Sequence, residues 1–278
     1  MRRDQGRGRR KTAAPGTGGM APMTIFEWGY LFGAPFLLPL HRTVRKLLRE
    51  VTAQYPYRPE VLDVGGRQSP YTIGIPADIT ITDLARYSAL QHRLRLGLTP
   101  ELINRIRRRR SNVRRIFFDD MTCSSIPDRV YDGVVAVEVL EHVGDGEAFV
   151  NEVCRVLKPG GMFLMTTPNA EYLTRTGGKA GMNPDDKRVY TRMELRMLLS
   201  PGFEKIRIVP VINKKSRWHS WGLRSWSLRH PAVTLMSALG NFLNFIGSSS
   251  TRHCIRVEDA GHLAVIAKKR IEKECDLR

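Results

Sequence analysis

The sequence is poor in cysteine and in acidic residues, and it has no long apolar run. Among its 278 residues there are four cysteines, none in a Cys-x-x-Cys pair, so neither a disulfide framework nor a structural zinc site is expected. We therefore predict that no metal is bound and that the protein is cytoplasmic. No stretch of about 18 or more apolar residues occurs, which argues against a membrane-spanning helix.

Basic residues outnumber acidic ones by 45 to 27, which gives a formal net charge of +18. The excess is concentrated in three stretches, residues 1–11, Arg105–Arg115 and Lys205–Arg229. A solvated surface explains such stretches, and so does an anionic partner such as RNA, lipid head groups or an acidic substrate. Because Pro- and Gly-rich sequence follows the first stretch, residues 1–23 are predicted to be a disordered basic arm before a domain at 24–278.

Two apolar regions stand apart from the regular pattern of the chain. Residues 24–40 are expected either to cover the domain or to lie at a membrane surface. Residues 213–258 separate the last two predicted strands and are interpreted as an insertion. Its second half, at 231–247, is apolar, and its first half contains three tryptophans next to arginines, Trp218, Trp221 and Trp226. The insertion is predicted to be a lid over the substrate, an interfacial membrane segment or an ordinary buried helix.

Hydrophobic periodicity predicts strands and helices that alternate along the chain. The predicted strands are 61–64, 78–83, 113–120, 131–138, 162–167, 203–212 and 262–269. The predicted helices are 41–55, 98–110, 146–157 and 191–199, the last with a capping box of Thr191 and Glu194. This alternation indicates an α/β protein with a parallel sheet and short crossovers.

Acidic residues stand at the ends of four of these strands. Asp63 precedes the pair Gly65-Gly66, Asp83 comes 18 residues after Gly65, Asp119-Asp120 ends the third strand, and Glu138 ends the fourth. In an open parallel sheet, ligands bind outside the carboxyl ends of the strands. An acid at the second position commonly accepts both hydroxyls of an adenosine ribose. The series therefore predicts a nucleoside pocket, although each feature alone is more often a turn or a helix cap.

The same segments resemble the class I S-adenosylmethionine-dependent methyltransferases, and most of all the branch often labelled methyltransferase type 11. The segments are VLDVGG, TITDL, FFDDM, YDGVVAVEVLEHV and VLKPGGMFLMTTPN, and the resemblance covers residues 41–212 and 262–269. It implies a Rossmann-like sheet of seven mostly parallel strands with helices on both faces, an antiparallel last strand, and the cofactor S-adenosyl-L-methionine.

The resemblance also assigns a cofactor site to the four strand ends. The methionine part of the cofactor would lie at the first end, the ribose and one side of the adenine at the second, the adenine at the third, and the sulfonium at the fourth. In that order the residues are Asp63, Gly65 and Gly66; Asp83 and Leu84; Asp120 and Met121; and Glu138 and Val139.

The glycine-rich loop departs from the family pattern, because Arg67 and Ser69 stand where glycines are usual. Arg67 is expected either to point outward or to contact the methionine carboxylate or the substrate. The same sequence, GGRQSP, fails the G-x-G-x-x-G pattern of dinucleotide-binding proteins, which argues against that class.

The implied chemistry is in-line displacement, in which a nucleophile of the acceptor attacks the activated methyl group. An oxygen nucleophile benefits from a base, and His142 is the predicted catalytic base, with a purely structural role in the following loop as the alternative. Glu138, Glu141 and His142 also form an E-x-x-E-H series that resembles the metal-binding segment of quinone-pathway O-methyltransferases. Because Leu-Glu-His is widespread in the broader family without a metal, the prediction of no metal stands beside this open alternative.

The sequence thus predicts a transferase that methylates a small-molecule or lipid-linked acceptor, with peripheral membrane contact as an option. The alternative is an RNA methyltransferase or RNA-binding module that uses Arg105–Arg115. Against it, the fourth strand does not end in the (Asn/Asp)-Pro-Pro-aromatic segment of base amino-group methylation, and no Pro-Cys nucleophile of pyrimidine chemistry occurs. A third reading is a membrane-associated scaffold with a degenerate cofactor loop. The acceptor and the oligomeric state are left open.

Overall fold

The computed structural model describes residues 22–84, 97–176, 186–213, 231–250 and 256–271. Seven strands form one sheet: β1 Glu60–Val64, β2 Asp78–Asp83, β3 Val113–Phe118, β4 Tyr131–Val137, β5 Leu157–Pro168, β6 Phe203–Asn213 and β7 Ala260–Lys269. The described α-helices are α1 Ile25–Phe32, α2 Pro39–Thr52, α3 Pro100–Arg109, α4 Gly146–Val156, α5 Ala170–Arg175, α6 Arg192–Leu199 and α7 Pro231–Ser250.

The strands lie in the order β3-β2-β1-β4-β5-β7-β6. Neighbours from β3 to β5 pair in parallel, whereas β7 is antiparallel to both β5 and β6. The predicted α/β class, the Rossmann-like seven-stranded sheet and its antiparallel last strand are therefore confirmed. The strand order changes direction between β1 and β4, and such a switch point is where an open sheet leaves a crevice for a ligand.

Two hydrophobic clusters cover the two faces of the sheet, because neighbouring strand residues point to opposite sides. On one face, Phe163 packs with Phe149 of α4 and Leu195 of α6. The cluster on the other face includes Leu164 of β5, Leu48 of α2 and Ile106 of α3. Each such fully buried side chain stabilises the fold by about 1.5–3 kcal/mol. Helices thus lie on both faces, as predicted.

Most of the predicted boundaries agree with the structure to within three residues, and the capping box of Thr191 and Glu194 is present. The fifth strand is the exception, because it begins at Leu157 rather than at residue 162. Leu157 pairs with Tyr131 and Met162 with Gly133, so five residues of β5 span the distance of two residues of β4. The Lys-Pro-Gly-Gly segment therefore forms a bulge within the strand and not a turn before it.

The outer helix pair, which we define as α1 and α7, departs from ordinary amphipathic helices. In α1 the single charged residue, Glu27, is fully buried, while Ile25 is 92% exposed and Phe32 77% exposed. Glu27 accepts hydrogen bonds from the backbone amides of Thr24 (2.8 Å) and Ser111 (3.0 Å). The predicted covering role of residues 24–40 therefore depends on a buried carboxylate as well as on apolar packing.

Candidate functional site

The carboxyl ends of β1, β2, β3 and β4 meet at one edge of the sheet, which we call the strand-tip rim. The parallel register places Val64 beside Thr82 on one side and Ala136 on the other. The backbone amide of Asp119 donates to the carbonyl of Asp83 (3.3 Å), which joins the third end to the second. The four strand ends that the sequence singled out are thus brought together.

Asp63 is fully buried at the end of β1 and anchors the loop that follows. Its carboxylate accepts a hydrogen bond from the Thr72 hydroxyl (3.0 Å), and the Tyr71 hydroxyl lies 3.5 Å away. Arg110 donates in turn to Thr72 (2.6 Å). Burial raises the pKa of Asp63 to about 6, although the nearby charge of Arg110 opposes the rise. Asp63 therefore holds the loop in place from beneath.

The glycine pair is required by close approaches on both sides of the loop. Gly65 has φ +70°, and a Cβ there would lie 3.0 Å from Cγ2 of Val139. A Cβ on Gly66 would lie within 2.7 Å of three carboxyl atoms of Asp63. The structure therefore brings Asp63, Gly65, Gly66 and Val139 together, because only glycine fits between the two strand ends.

Arg67 does not point outward. Its Nη1 atom lies 2.5 Å from Oδ2 of Asp83, the residue expected to bind the ribose hydroxyls. The other oxygen, Oδ1, accepts a hydrogen bond from the amide of Leu84 (2.8 Å). The outward placement of Arg67 is thus wrong, because its long cationic side chain reaches the nearest rim carboxylate. A contact of Arg67 with the methionine carboxylate or the substrate stays a prediction.

The third strand end contributes Asp120 and Met121 in different environments. Asp120 is exposed and accepts hydrogen bonds from the Thr122 amide (2.9 Å) and hydroxyl (2.7 Å). Met121 is buried within the core cluster that includes Leu140. Leu84, at the second end, is exposed. The placement of these three residues around an adenine stays a prediction.

Glu138, at the end of β4, is held by residues from two neighbouring strands. It adopts φ +54°, a conformation that is uncommon for residues with a side chain. Oε1 accepts a hydrogen bond from the Thr166 hydroxyl of β5 (2.8 Å), and Oε2 lies 3.0 Å from Nε2 of His262 in β7. Burial alone would raise the pKa of Glu138, but His262 and the two hydrogen bonds outweigh it, so the pKa lies below its usual value. The strained carboxylate is therefore ionised at neutral pH.

Two histidines of this site, His262 and His41, were missed in the sequence. His262 begins an antiparallel strand and pairs with Pro168 at the end of β5, so topology brings it to the rim. Its Nδ1 atom is buried without a hydrogen-bond partner among the described residues. His41 lies in the first turn of α2. Burial lowers the pKa of His41, and the negative charge of nearby Glu138 opposes that lowering. The antiparallel last strand was the signal that could have identified His262.

His142 and Glu141 lie in a short 3-10 turn just beyond Glu138. Nδ1 of His142 is 3.4 Å from Oδ1 of Asp186, and its side chain is 36% exposed. Glu141 is buried, and its Oε2 has no hydrogen-bond partner within the described ranges. Burial and the charges of Glu138 and Asp186 raise the pKa of Glu141 to about 9, so this carboxyl is protonated at neutral pH.

A metal on the E-x-x-E-H series would require Glu138, Glu141 and His142 to share one centre. The ligand atoms that lie within 4.8 Å of one another belong instead to Glu141, His142 and Asp186. Glu138 is engaged by His262 and Thr166. The donor set suits a divalent ion in chemical type, but its members differ from those that the sequence resemblance implied.

The arginine-rich stretch Arg105–Arg115 is divided between the surface and the interior. Arg107, Arg108 and Arg109 are exposed on α3. Arg110, by contrast, is buried beside Thr72. Arg114 pairs with Asp78 (3.0 Å). Arg110 and Arg114 therefore have structural roles, and the larger part of the stretch is exposed, where an anionic partner can reach it.

Comparison with known proteins decides the family. A model of a methyltransferase domain family matches residues 39–240, which is more than half of the chain. The chain belongs to this methyltransferase family. The predicted class I resemblance and its cofactor, S-adenosyl-L-methionine, are thereby confirmed.

Curated relatives match this methyltransferase over part of its length. A probable S-adenosylmethionine-dependent methyltransferase of Mycolicibacterium smegmatis is 38% identical over 107 residues, which cover 38% of each protein. The bovine (Bos taurus) mitochondrial ubiquinone biosynthesis O-methyltransferase is 34% identical over 143 residues, which cover 46% of this chain and 35% of the relative. The chain thus spans little more than a third of the length of these relatives.

Solved structures confirm the fold of the methyltransferase. A structure of an S-adenosylmethionine-dependent methyltransferase from Thermotoga maritima aligns with a TM-score of 0.50 at 15% identity, and covers 83% of this chain and 91% of the other. No helix in the described part of the chain is long and apolar enough to cross a membrane. The basic arm at 1–23 and the three tryptophans of the insertion lie almost wholly outside the described residues, so those interpretations stay predictions.

Proposed function

We propose that this protein transfers a methyl group from S-adenosylmethionine to a small, largely apolar acceptor, either free or lipid-linked. The observation that supports this proposal best is the acidic strand-tip rim at the switch point of an otherwise strongly basic protein. Four strand ends bring Asp63, Asp83, Asp120 and Glu138 to one edge. Carboxylates at this edge attract a cofactor that carries a cationic sulfonium.

The rim residues divide the work of binding. When bound, the cofactor supplies a methyl group on a sulfonium, which leaves as a neutral thioether. Asp83 would accept the ribose hydroxyls, which requires Arg67 to give up or share its place on Oδ2. Glu138 would lie near the sulfonium and stabilise its positive charge, while Gly65 and Gly66 allow close backbone approach to the methionine part.

An imidazole at the rim would take the proton from the acceptor hydroxyl. The acceptor oxygen forms a bond to the methyl carbon, the carbon–sulfur bond breaks with its electrons going to sulfur, and the acceptor proton goes to a ring nitrogen. His142, the base predicted from the sequence, has its Nδ1 directed at Asp186. Nε2 of His262 lies 3.0 Å from Oε2 of Glu138, and its Nδ1 is buried with no hydrogen-bond partner in the described part of the chain. Both residues are therefore candidates: His142 has the more exposed side chain, and His262 lies beside the carboxylate expected near the sulfonium.

The acceptor class follows from what surrounds the rim and from the relatives. The bovine relative is named as an O-methyltransferase of ubiquinone biosynthesis. In this chain the outer helix pair exposes large apolar side chains, including Trp28 and Leu235. An apolar acceptor, and contact with a membrane where such compounds reside, agree with that surface.

The test is a two-stage measurement. Calorimetry with S-adenosylmethionine and with its demethylated product should detect binding, and Asp83→Ala should weaken both. A screen of phenolic and lipid-linked acceptors with radiolabelled cofactor should then find a labelled product. Failure to bind either compound would overturn the proposal; binding without any turnover of phenolic or lipid-linked acceptors would overturn the acceptor class.

RNA methylation is the second candidate, because Arg107, Arg108 and Arg109 are exposed. Electrostatic binding to RNA weakens steeply as salt rises, whereas turnover of a neutral acceptor does not. A salt series with a mixed RNA pool therefore separates the two functions.

A further inference from the structure

Both members of the outer helix pair turn polar side chains inward and apolar side chains outward. In α1, Glu27 is buried while Trp28 and Phe32 are exposed. In α7, Ser237 and Asn241 are buried, while Leu235 and Leu239 are exposed. The helix α7 contains no charged residue in any of its 20 positions. A helix that faces water normally carries polar or charged residues on its outer side. The uncharged apolar outer side of this pair therefore indicates a surface that contacts another apolar phase.

The two helices are connected through the short turn that follows α1. The rings of Phe36, in the short turn after α1, and Phe242 of α7 stack with centroids 5.4 Å apart. Arg42 fastens both elements, because its guanidinium donates to the carbonyls of Pro35 (2.9 Å) and Asn241 (2.8 Å). The guanidinium also lies 5.4 Å from the ring centre of Phe245. The exposed apolar residues of this surface are Ile25, Phe26, Trp28, Phe32, Leu235, Met236, Leu239, Phe245 and Ile246.

A basic border runs along the α1 side of this surface. Helix α3 packs beside α1, since the Thr24 hydroxyl donates to the carbonyl of Arg109 (2.6 Å) and the Arg109 guanidinium lies 5.0 Å from the centre of the Phe26 ring. Arg105, Arg107 and Arg108 are exposed on the same helix. An apolar face with arginines at its edge has the charge pattern of a surface that inserts among anionic lipids.

The surface also adjoins the strand-tip rim. His41 immediately precedes Arg42, which holds α7, in the first turn of α2, and its ring lies 6.2 Å from the ring of Tyr71. Tyr71 belongs to the loop that Asp63 anchors. A membrane at the outer helix pair would therefore lie close to the site where an apolar acceptor has to enter.

We propose that the outer helix pair, with the arginines of α3, docks this protein onto an anionic lipid bilayer. The apolar residues would enter the head-group and acyl boundary, and the arginines would pair with lipid phosphates. A second copy is a poorer occupant, because pairing two such faces brings the arginine borders of two strongly basic chains together. The inference rests on the proposed function and adds the surface through which the protein would reach a membrane. Vesicle binding tests it without cofactor or acceptor.

The experiment is co-sedimentation of the full chain with unilamellar vesicles. One set contains phosphatidylcholine alone, and the other contains phosphatidylcholine with phosphatidylglycerol. We expect binding to the anionic vesicles and much weaker binding to the neutral ones. W28E with F32E should lower the binding by about tenfold or more, because two aromatic side chains no longer enter the lipid. R107Q with R108Q should lower binding to the anionic vesicles about fivefold for each arginine and should therefore reduce the preference for them.

The matched control is M193E with M197E. These two methionines are as exposed as the residues of the outer helix pair, but they lie on α6, which packs on the opposite face of the sheet. This variant should bind vesicles like the natural chain. Calorimetry with S-adenosylmethionine and circular dichroism show whether each variant is folded.

Two outcomes would overturn the inference. Equal vesicle binding by folded W28E/F32E and by the natural chain would mean that the outer helix pair makes no contact with lipid. A dimer that W28E/F32E dissociates in analytical ultracentrifugation, together with no vesicle binding, would mean that a second copy covers the surface. Neither outcome would disturb the proposed methyl transfer, which is read from labelled product with an acceptor free in solution.

Discussion

The strand-tip rim and the outer helix pair have opposite designs. The rim gathers carboxylates in a protein of formal net charge +18, and three of them, Asp63, Asp83 and Glu138, are held by hydrogen bonds or ion pairs from other elements. The outer helix pair buries its polar side chains and leaves large apolar ones exposed. The contrast teaches that net charge describes neither region, and that function has to be inferred from where each group lies.

The largest effect is expected at the imidazole pair of the rim. If His262 is the base, His262→Asn should reduce turnover by about 10²–10⁴-fold, the usual range for loss of general base catalysis. The measurement is kcat and KM with labelled cofactor across a pH series. His142→Asn is the matched variant, and it should have the smaller effect if Nδ1 of His262 receives the proton. A larger loss in His142→Asn would return the base to the position predicted from the sequence.

The second effect concerns the buried carboxyl of Glu141. Its pKa rises from an ordinary value of 4.5 to about 9 in the folded protein, so folding takes up a proton between these values. The stability gained from that proton is present below about 4.5 and is lost as pH rises toward 9. Relative to Glu141→Gln, the free energy of unfolding should therefore fall by about 1.4 kcal/mol for each pH unit within the window.

Denaturant unfolding of both proteins at several pH values measures this slope. The exposed Glu147→Gln is the control, and its difference from the natural chain should stay constant. Parallel pH profiles for Glu141→Gln and the natural chain would show that Glu141 is ionised in the folded state.

The third effect tests whether Asp83 holds the cofactor. Asp83→Ala should weaken S-adenosylmethionine binding by about tenfold to a hundredfold, which corresponds to hydrogen bonds with a charged acceptor. Arg67→Ala should act in the opposite direction, by up to about fivefold, because it frees Oδ2 and removes a positive charge near the sulfonium. Calorimetry measures both. Weaker binding in Arg67→Ala would mean that Arg67 itself contacts the cofactor.

The smallest effect is expected from metal removal. Because Glu138 is engaged by His262 and Thr166, a chelator should leave turnover unchanged. If the chelator abolishes turnover and Mg²⁺ restores it, Asp186→Asn should reproduce the loss, since Asp186 lies with Glu141 and His142.

The strands and the rim were predictable because both follow from short-range pattern. Alternation of apolar residues placed β2 at 78–83 without error, and an acid at each strand end located the rim. The bulge in β5 was not predictable, because glycine and proline after a helix usually end an element. His262 was missed for another reason: it comes 124 residues after Glu138, and only the antiparallel pairing of β7 brings the two together.

The orientation of the outer helix pair could not be predicted from hydrophobic periodicity. A lone Glu27 in an apolar segment predicts that its side of the helix faces solvent. In the structure that side is buried, and the Ser111 amide donates a hydrogen bond to the carboxylate. The Arg67–Asp83 ion pair is a similar case. The conformation of the loop after β1, and not the residue type at position 67, determines which carboxylate Arg67 contacts. Long-range contacts of single side chains decide such cases, and a single sequence does not record them.

The way Arg42 holds α7 has a consequence for how such proteins diversify. The Arg42 guanidinium of α2 donates a hydrogen bond to the main-chain carbonyl of Asn241. This contact involves the backbone of α7 and does not depend on the side chain at position 241. Residue 241 can accordingly change without loss of this contact, while the loop after β1 keeps a separate anchor in Asp63.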